Sequence, residues 1–517
     1  MASPDSPRVL VVGAGIGGLT AAALLAKRGY DVRAYDLAIV PGGCASTFKR
    51  RGFTFDVGAT QVAGLEPGGI HHRIFEELDI ELPEATPCDP ACAVLLPGET
   101  KPINVWRDPD KWRAERQRQF PGSEPFWRLM ETMFEASWAF QSRDPVLPPR
   151  SPWDVWQLTQ ALRPDTFVTA PFTFATVGDV LRLFGLDKET RLRTFLDLQL
   201  KLYSQVDADN TAFLYAATAL GVSQTPQGLY HLHGSMQVLS DRLASAIEQH
   251  GGTLKMRHAV THLHTDPRYG NRVVSATIRN AKTDETFTED YDAIVTNVTV
   301  QNLVSLLENP DTIEPATQKP QLPSPMRGYR RRVETLPPAS GAFVIYLGVD
   351  AAAIPAGCPP HLQFFYDPAE SIAENNSLFV SVSRPGDGRA PDGCATIIAS
   401  SFTDTELWWD DTTYPELKQR YTDDAIARLS SYFNLSPETI VYTEAATPKT
   451  FHTFTGRDRG VVGGIGQRVP TFGPFGFANR TPLANLWLVG DCTHPGEGTA
   501  GVSYSALTAV RQLERSL

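Results

Sequence analysis

The sequence predicts an α/β fold in which a parallel, nucleotide-binding sheet is assembled from three separate stretches and carries an inserted α+β domain. Three observations predict it. A strand, a glycine-rich turn and an alanine-rich helix follow one another near the N-terminus, a similar unit closes the chain, and a strand-forming block lies between them. With 517 residues the chain is long enough for two domains with sizeable cores.

The N-terminal unit has the parts of a dinucleotide-binding βαβ element, the mark of a Rossmann-type domain. An apolar run at residues 9–12 is typical of a buried strand, Gly29 stops the helix, and Asp36 ends a second strand. The glycines keep the turn bare so that a pyrophosphate fits against it, and the helix start attracts the same anion. A carboxylate such as Asp36 accepts hydrogen bonds from ribose hydroxyls. The predicted cofactor contacts here are Gly13, Ala14, Gly15, Ile16, Gly17, Gly18 and Asp36.

The C-terminal unit repeats this arrangement, with a strand, a polar glycine-rich turn and a terminal helix whose start can face an anion. An extra glycine turn after Asp36 suits a cofactor larger than NAD. Two such units, one at each end of the chain, imply a single FAD held by both. The further predicted contacts are Gly42, Gly43, Val260, Gly490, Asp491, Gly501 and Val502.

Three segments together resemble a known family. They are the N-terminal unit with its extension through residues 52–58, the stretch 228–252 around Gly234 and Met236, and the C-terminal stretch 490–502. They are similar to the carotenoid desaturase and isomerase family (phytoene desaturase type), a branch of the amine-oxidase-like flavoproteins. Residues 479–482 and 496–505 most resemble members that introduce a 3',4' double bond.

The resemblance implies FAD as cofactor, a carotenoid substrate and desaturation by hydride transfer to the flavin, with quinone or oxygen as electron acceptor. One position departs from the family pattern. Many relatives have arginine after the glycine pair, whereas this chain has Cys44. Backbone amides and helix dipoles would then have to neutralise the pyrophosphate.

We expect a discontinuous FAD-binding domain over residues 1–75, 226–300 and 445–517. The inserts 76–225 and 301–444 would form a substrate-binding, membrane-facing domain. Apolar residues recur at helical spacing over residues 126–138. Core packing is the commoner explanation of such a helix, and a wall of an apolar tunnel or a lipid-facing surface is the alternative. The arginines within 327–332 suggest a solvated loop, with contact to lipid phosphate as the alternative.

Composition excludes several other classes. A net charge of −11 without a basic face argues against nucleic acid. Cys88 and Cys92 lack a second pair or nearby histidines, so no metal site is expected. No apolar run is long enough to span a membrane. With no signal peptide before Arg8 and a water-insoluble substrate implied by the family, we expect a cytoplasmic protein associated peripherally with the membrane.

Glu497 and His494, in the turn before the terminal helix, are the candidate catalytic residues. Either side chain can accept the proton released as hydride leaves the substrate. The alternative is that Glu497 caps the helix. Three functions stay open: a carotenoid desaturase, a redox-neutral carotenoid cis–trans isomerase, and a non-catalytic binding protein of the fold shared with guanine-nucleotide dissociation inhibitors.

Overall fold

The computed structural model describes residues 6–266, 268, 271–314, 318–383 and 386–517. Its strands, in chain order, are β1 Arg8–Val12, β2 Asp31–Asp36, β3 Thr47–Arg50, β4 Phe53–Asp56, β5 Ala85–Pro87, β6 Cys92–Leu95, β7 Ile103–Val105, β8 Tyr230–Leu232, β9 Thr253–Met256, β10 His258–Thr265, β11 Val273–Asn280, β12 Thr286–Asp290, β13 Ala293–Thr296, β14 Asn309–Glu314, β15 Lys319–Gln321, β16 Ser340–Asp350, β17 His361–Phe365, β18 Ser377–Val382, β19 Cys394–Asp404, β20 Ile440–Ala446 and β21 Leu486–Leu488.

The α-helices are α1 Ile16–Lys27, α2 Ile70–Glu77, α3 Pro109–Gln119, α4 Glu124–Gln141, α5 Pro152–Ala161, α6 Val177–Leu183, α7 Thr190–Ser204, α8 Phe213–Ser223, α9 Gln237–Gln249, α10 Val300–Leu307, α11 Met326–Glu334, α12 Tyr414–Leu429, α13 Pro448–Thr455 and α14 Thr499–Glu514. A short 3-10 helix at Thr166–Phe172 follows α5. No helix in the part of the chain that the structure describes is long and apolar enough to cross a bilayer.

A five-stranded parallel sheet organises the nucleotide end of the molecule, in the order β21-β13-β1-β2-β9. Alternate residues of β1 face opposite sides, as strand geometry requires. Val9 and Val11 pack with α1, α9 and α14, whereas Leu10 and Val12 pack with β10, β11 and α10. The sheet thus joins strands from the beginning, middle and end of the chain.

A seven-stranded sheet, ordered β20-β16-β19-β18-β17-β6-β7, organises the other end. Its pairs are antiparallel except β17 with β6. Residues of β6 and β7 pack against helices α3, α4, α6, α7 and α8, and residues of β16 pack against α12. The predicted domain limits remain a prediction. However, β20 continues across the predicted limit between residues 444 and 445. Helices α10 and α11, which the prediction places mainly with the inserts, pack against the first sheet.

The amphipathic segment and the arginine cluster that the sequence singled out have clear structural explanations. Phe126, Met130 and Met133 of α4 are buried in the core beneath the second sheet, so core packing is the correct interpretation for most of that face. The prediction of an arginine-rich solvated loop is wrong. The segment is helix α11. Arg330 is buried and pairs with Glu314, whereas Arg327 also pairs with Glu314 but stays exposed to solvent.

Candidate functional site

A cavity of about 1050 Å³ runs from the carboxyl edge of the parallel sheet to the helices under the second sheet. At one end it is lined by the turn after β1, the end of β2 and the start of α14. At the other end it is lined by apolar residues of α4, α5, α7 and α8. Its volume is at the upper limit of ordinary small-molecule sites. The cavity therefore offers room for an extended ligand with polar and apolar parts.

The turn between β1 and α1 shapes the polar end. Gly13 has a φ of +94°, in the region that favours glycine. A Cβ on Gly15 would lie 2.7 Å from Asn297 Oδ1, and one on Gly18 would lie 1.9 Å from the Gly13 carbonyl oxygen. Packing inside the protein therefore requires glycine at these positions, and the same glycines leave the backbone bare for contact with a pyrophosphate.

Asn297, which follows β13, holds this turn together and was not identified from the sequence. Its Oδ1 accepts a hydrogen bond from the Gly18 amide at 3.1 Å, and its Nδ2 donates to the Val489 carbonyl at 3.2 Å. It therefore links the ends of β13, β1 and β21. A polar residue directly after a buried strand next to β1 is the signal that could have found it.

Asp36 lines the cavity and also supports the turn. Its carboxylate accepts hydrogen bonds from the amides of Ala14 at 2.6 Å and Ala38 at 2.7 Å. Burial raises the pKa of the Asp36 carboxyl, and these two amide donors oppose the rise. Val260 of β10 lines the same end of the cavity. A carboxylate fixed in this way suits a hydroxyl-rich ligand.

The starts of α1 and α14 lie side by side at the polar end. A Cβ on Gly17 would be 3.3 Å from the Val502 carbonyl oxygen, and the Thr20 and Ser503 hydroxyls are 3.3 Å apart. Residues of both first turns line the cavity. The first amides of a helix have no partner within it and carry partial positive charge. Two such ends facing one space make a site for an anionic group.

The structure brings most of the predicted site residues to one cavity, and three lie behind its wall. The Ala14 amide bonds Asp36, the Gly18 amide bonds Asn297, and the Gly490 amide bonds the Ser505 hydroxyl at 3.2 Å. These three residues support the wall. The predicted residues that line the cavity are Gly13, Gly15, Ile16, Gly17, Asp36, Gly42, Gly43, Val260, Asp491, His494, Glu497, Gly501 and Val502.

Glu497 faces the cavity between its polar and apolar ends. The alternative that it caps the terminal helix is wrong, because the cap residue is Gly498. Its carboxyl interacts with Gln205 and accepts a hydrogen bond from Gln467 at 3.5 Å. Burial raises the pKa of Glu497 well above its usual range. The two amide side chains oppose the rise, and nearby Asp491 adds to it. The carboxyl therefore holds its proton to a higher pH than an exposed glutamate does.

His494 also lines the cavity but has a weakly basic ring. Burial lowers the pKa of His494 to about 4. Its Nε2 lies 3.0 Å from Gln141 Oε1, and the ring contacts Tyr504 edge-on. The imidazole is consequently neutral across the physiological range, where it competes poorly for a proton.

The segments that line the apolar end also carry exposed hydrophobic side chains. Leu158 of α5, Leu162 directly after it, and residues of the 3-10 helix that follows line the cavity. Close by in the chain, Trp156 is 58% exposed, Phe167 64% and Phe174 70%. We name these three residues the apolar rim. Large apolar side chains exposed in neighbouring segments are candidates for an interaction surface.

Comparisons with known proteins agree with this geometry. The family model of an NAD(P)-binding Rossmann-like domain matches residues 11–78. Prolycopene isomerase 2 of an Oncidium hybrid cultivar is 25% identical, covering 98% of this chain and 84% of its own. The neurosporene-forming phytoene desaturase of Cereibacter sphaeroides is 25% identical, covering 97% and 93%. The solved structure of cyclohexylamine oxidase from Brevibacterium oxydans covers 99% and 100%, with a TM-score of 0.57 at 17% identity.

These findings confirm the predicted family resemblance and the amine-oxidase-like α/β fold. They support an oxidoreductase with a dinucleotide cofactor, and they favour an enzyme over a non-catalytic binding protein.

Proposed function

Because this chain is a homologue of the carotenoid desaturases and isomerases, we propose that it is an FAD-dependent oxidoreductase that desaturates a carotenoid, of the 3',4' type. The observation that carries the proposal is the cavity itself. It joins a dinucleotide-binding turn to a long apolar compartment, with an ionisable carboxyl at the junction. A cofactor with a charged and an aromatic end, together with a polyene, fits that distribution of polarity.

FAD fits the residues at the polar end. Asp36 and Val260 would hold the adenosine part, and the starts of α1 and α14 would face the phosphates. Gly42 has a φ of +118°, and a Cβ there would meet Ser240 Oγ at 2.6 Å, so this second turn is also built for bare backbone. When bound, FAD supplies a hydride acceptor for an allylic carbon.

The protein's own contribution to the reaction is to orient the polyene, exclude water and accept a proton. Glu497 is the candidate acceptor, because its carboxyl lies at the junction and, once ionised, is a stronger base than an ordinary glutamate. Gln205 and Gln467 fix its position. His494 is the weaker candidate, since its ring binds a proton only near pH 4.

The apolar rim supports peripheral association with a membrane from which the carotenoid enters. Trp156 belongs to α5, which contributes to the cavity wall, and Phe167 itself lines the cavity. Exposed Arg150 and Arg163 precede and follow α5. An apolar patch with flanking cations suits a bilayer containing anionic lipid. The same opening would admit a quinone as electron acceptor, with oxygen as the alternative.

Flotation with liposomes tests the membrane proposal. The wild-type protein should float with vesicles containing anionic lipid, and a W156E/F167E double variant should float about 10-fold less. Val441→Glu is the matched control, because Val441 is an exposed apolar residue on the edge strand β20, outside the rim. If wild type and double variant distribute alike, the rim is not the membrane-facing surface.

A redox-neutral isomerase is the second candidate, supported by the similarity to prolycopene isomerases. Expression in a host that accumulates a carotenoid saturated at the 3',4' position separates the two. A product lighter by the mass of H₂, with absorption shifted to longer wavelength, supports the desaturase. A product of unchanged mass and altered double-bond geometry supports the isomerase and overturns our first proposal.

A further inference from the structure

We propose that Arg457 supplies the positive charge for the cofactor phosphates that this chain lacks at position 44. This inference rests on the FAD binding proposed above. The resemblance described above implies an arginine at position 44, whereas this chain has Cys44, and residues 41–46 of the second glycine turn include no cationic side chain. The structure places a guanidinium beside that turn from a distant part of the sequence, the segment that follows α13.

The segment carrying Arg457 is held tightly against the nucleotide end. Helix α13 ends at Gly456, whose φ is +68°, and a Cβ there would lie 2.5 Å from Leu37 Cδ2. The positive φ favours glycine at residue 456, where the chain lies against the side chain of Leu37, the neighbour of Asp36. Arg457 follows directly, and its side chain lines the cavity at 17% exposure.

The contacts of Arg457 fix the guanidinium in one orientation. Its Nε donates to the Val461 carbonyl at 2.7 Å, and its Nη2 donates to Asp491 Oδ2 at 2.8 Å. Within the described residues, its Nη1 has no hydrogen-bond partner. A guanidinium held by two bonds with a third donor left over is prepared to bind a phosphate oxygen.

Cys44, Arg457 and Asp491 all line the cavity. Burial raises the pKa of the Cys44 thiol, and the charge of Arg457 is the main effect opposing that rise. Asp491 is the other charged group at this point, and without Arg457 its carboxylate would repel the phosphates. Arg457 therefore cancels an unfavourable charge and adds a donor in the cavity that Cys44 also lines.

The test is FAD binding to the apoprotein, measured by quenching of flavin fluorescence over a series of salt concentrations. Arg457→Met should raise the Kd for FAD about 10- to 100-fold, the range for a lost hydrogen bond to a charged group, and should flatten the salt dependence. Arg457→Lys keeps the positive charge and should lose less affinity for FAD than Arg457→Met. The ³¹P resonances of FAD bound to the Lys variant should shift from those of wild type, because a phosphate contact has changed.

Arg459→Met is the matched control, because Arg459 lies two residues further on, is 48% exposed and pairs with Glu406 outside the cavity. It should bind FAD like wild type. Comparing the FAD affinities of D491N and D491N/R457M shows whether Arg457 contacts the phosphates directly or only neutralises Asp491. Our inference requires the double variant to bind more weakly than D491N.

The outcomes distinguish the inference from the proposed function. A wild-type apoprotein that does not bind FAD contradicts the proposed cofactor. A second outcome overturns only the role of Arg457 and leaves the proposed cofactor intact. In that outcome the wild type binds FAD, R457M and R459M have the same Kd, and the ³¹P resonances of FAD are unchanged in R457K. Equal affinities of D491N and D491N/R457M would overturn it as well.

Discussion

The two ends of the cavity are built by different means. The polar end is made of main chain: two glycine-rich turns, the starts of α1 and α14, and a carboxylate held by two amides. The apolar end is made of side chains from several helices distant in sequence. Main-chain binding requires glycine at fixed spacing and leaves a recognisable motif. A surface of interchangeable apolar side chains leaves none, so changes at the two ends should have different consequences.

The largest effect is expected at the junction of the two ends. Glu497→Gln should keep FAD and carotenoid binding but slow anaerobic flavin reduction by about two to four powers of ten, as for a lost general base. In the wild type the rate should rise with pH, because the pKa of Glu497 is raised by burial, and the variant should lose that dependence. Stopped-flow reduction measures both. An unchanged rate removes Glu497 from the chemistry.

A smaller effect is expected at the polar end. Asn297→Ala leaves the Gly18 amide and the Val489 carbonyl without their partner, at a cost of about 1–3 kcal/mol per buried group. The free energy of unfolding should fall by that amount, and FAD should bind more weakly. Denaturant titration and flavin release measure the two. Asn210→Ala, at an exposed loop position, is the control. If Asn297→Ala and Asn210→Ala have the same free energy of unfolding, Asn297 does not hold the turn.

At the apolar end, a change of size should act on substrate alone. Ala219 of α8 lines the cavity, and Ala219→Phe should fill it. KM for the carotenoid should rise by about 5- to 150-fold, the equivalent of an overpacking cost of about 1–3 kcal/mol. FAD content should stay normal, and Ala219→Ser should behave like wild type. If Ala219→Phe leaves KM unchanged but lowers FAD content, the two ends are assigned the wrong way round.

The smallest effect concerns stability. A carboxyl whose folded pKa is raised stabilises the folded state fully below its unfolded pKa, and this contribution is lost as the pH rises through the folded value. Glu497→Gln cannot ionise, so apoprotein carrying it should become more stable relative to wild type as the pH rises above the usual glutamate range. Thermal melts of both proteins over a pH series check this. A difference that does not change with pH would show that the Glu497 pKa is unshifted.

The sequence predicted the polar end of the cavity better than the apolar end. The turn at residues 13–18, Asp36 and the start of the terminal helix could be located because backbone geometry dictates their residue types. The partners of Glu497 could not, because Gln205 and Gln467 lie in unrelated segments and glutamine has no distinctive spacing. Cys44 was recognisable as a departure, but Arg457 could be matched to it only once α13 was seen folding back on Leu37.

The insert illustrates the other limit. Periodicity predicted a helix over residues 126–138, and α4 spans Glu124–Gln141. The same periodicity could not separate Phe126, which is buried in the core, from Trp138, which lines the cavity. Both are apolar residues on one helix face, and only the packing of α4 against α8 decides which space each side chain meets.

The central claim, that redox chemistry on a polyene takes place where the two ends meet, is tested most directly by one anaerobic experiment. Protein loaded with oxidised FAD is mixed with carotenoid in liposomes, and flavin and carotenoid absorption are followed together in a single turnover. We predict that the flavin bleaches in proportion to the more conjugated carotenoid formed. A carotenoid that changes only its double-bond geometry while the flavin stays oxidised would contradict the account.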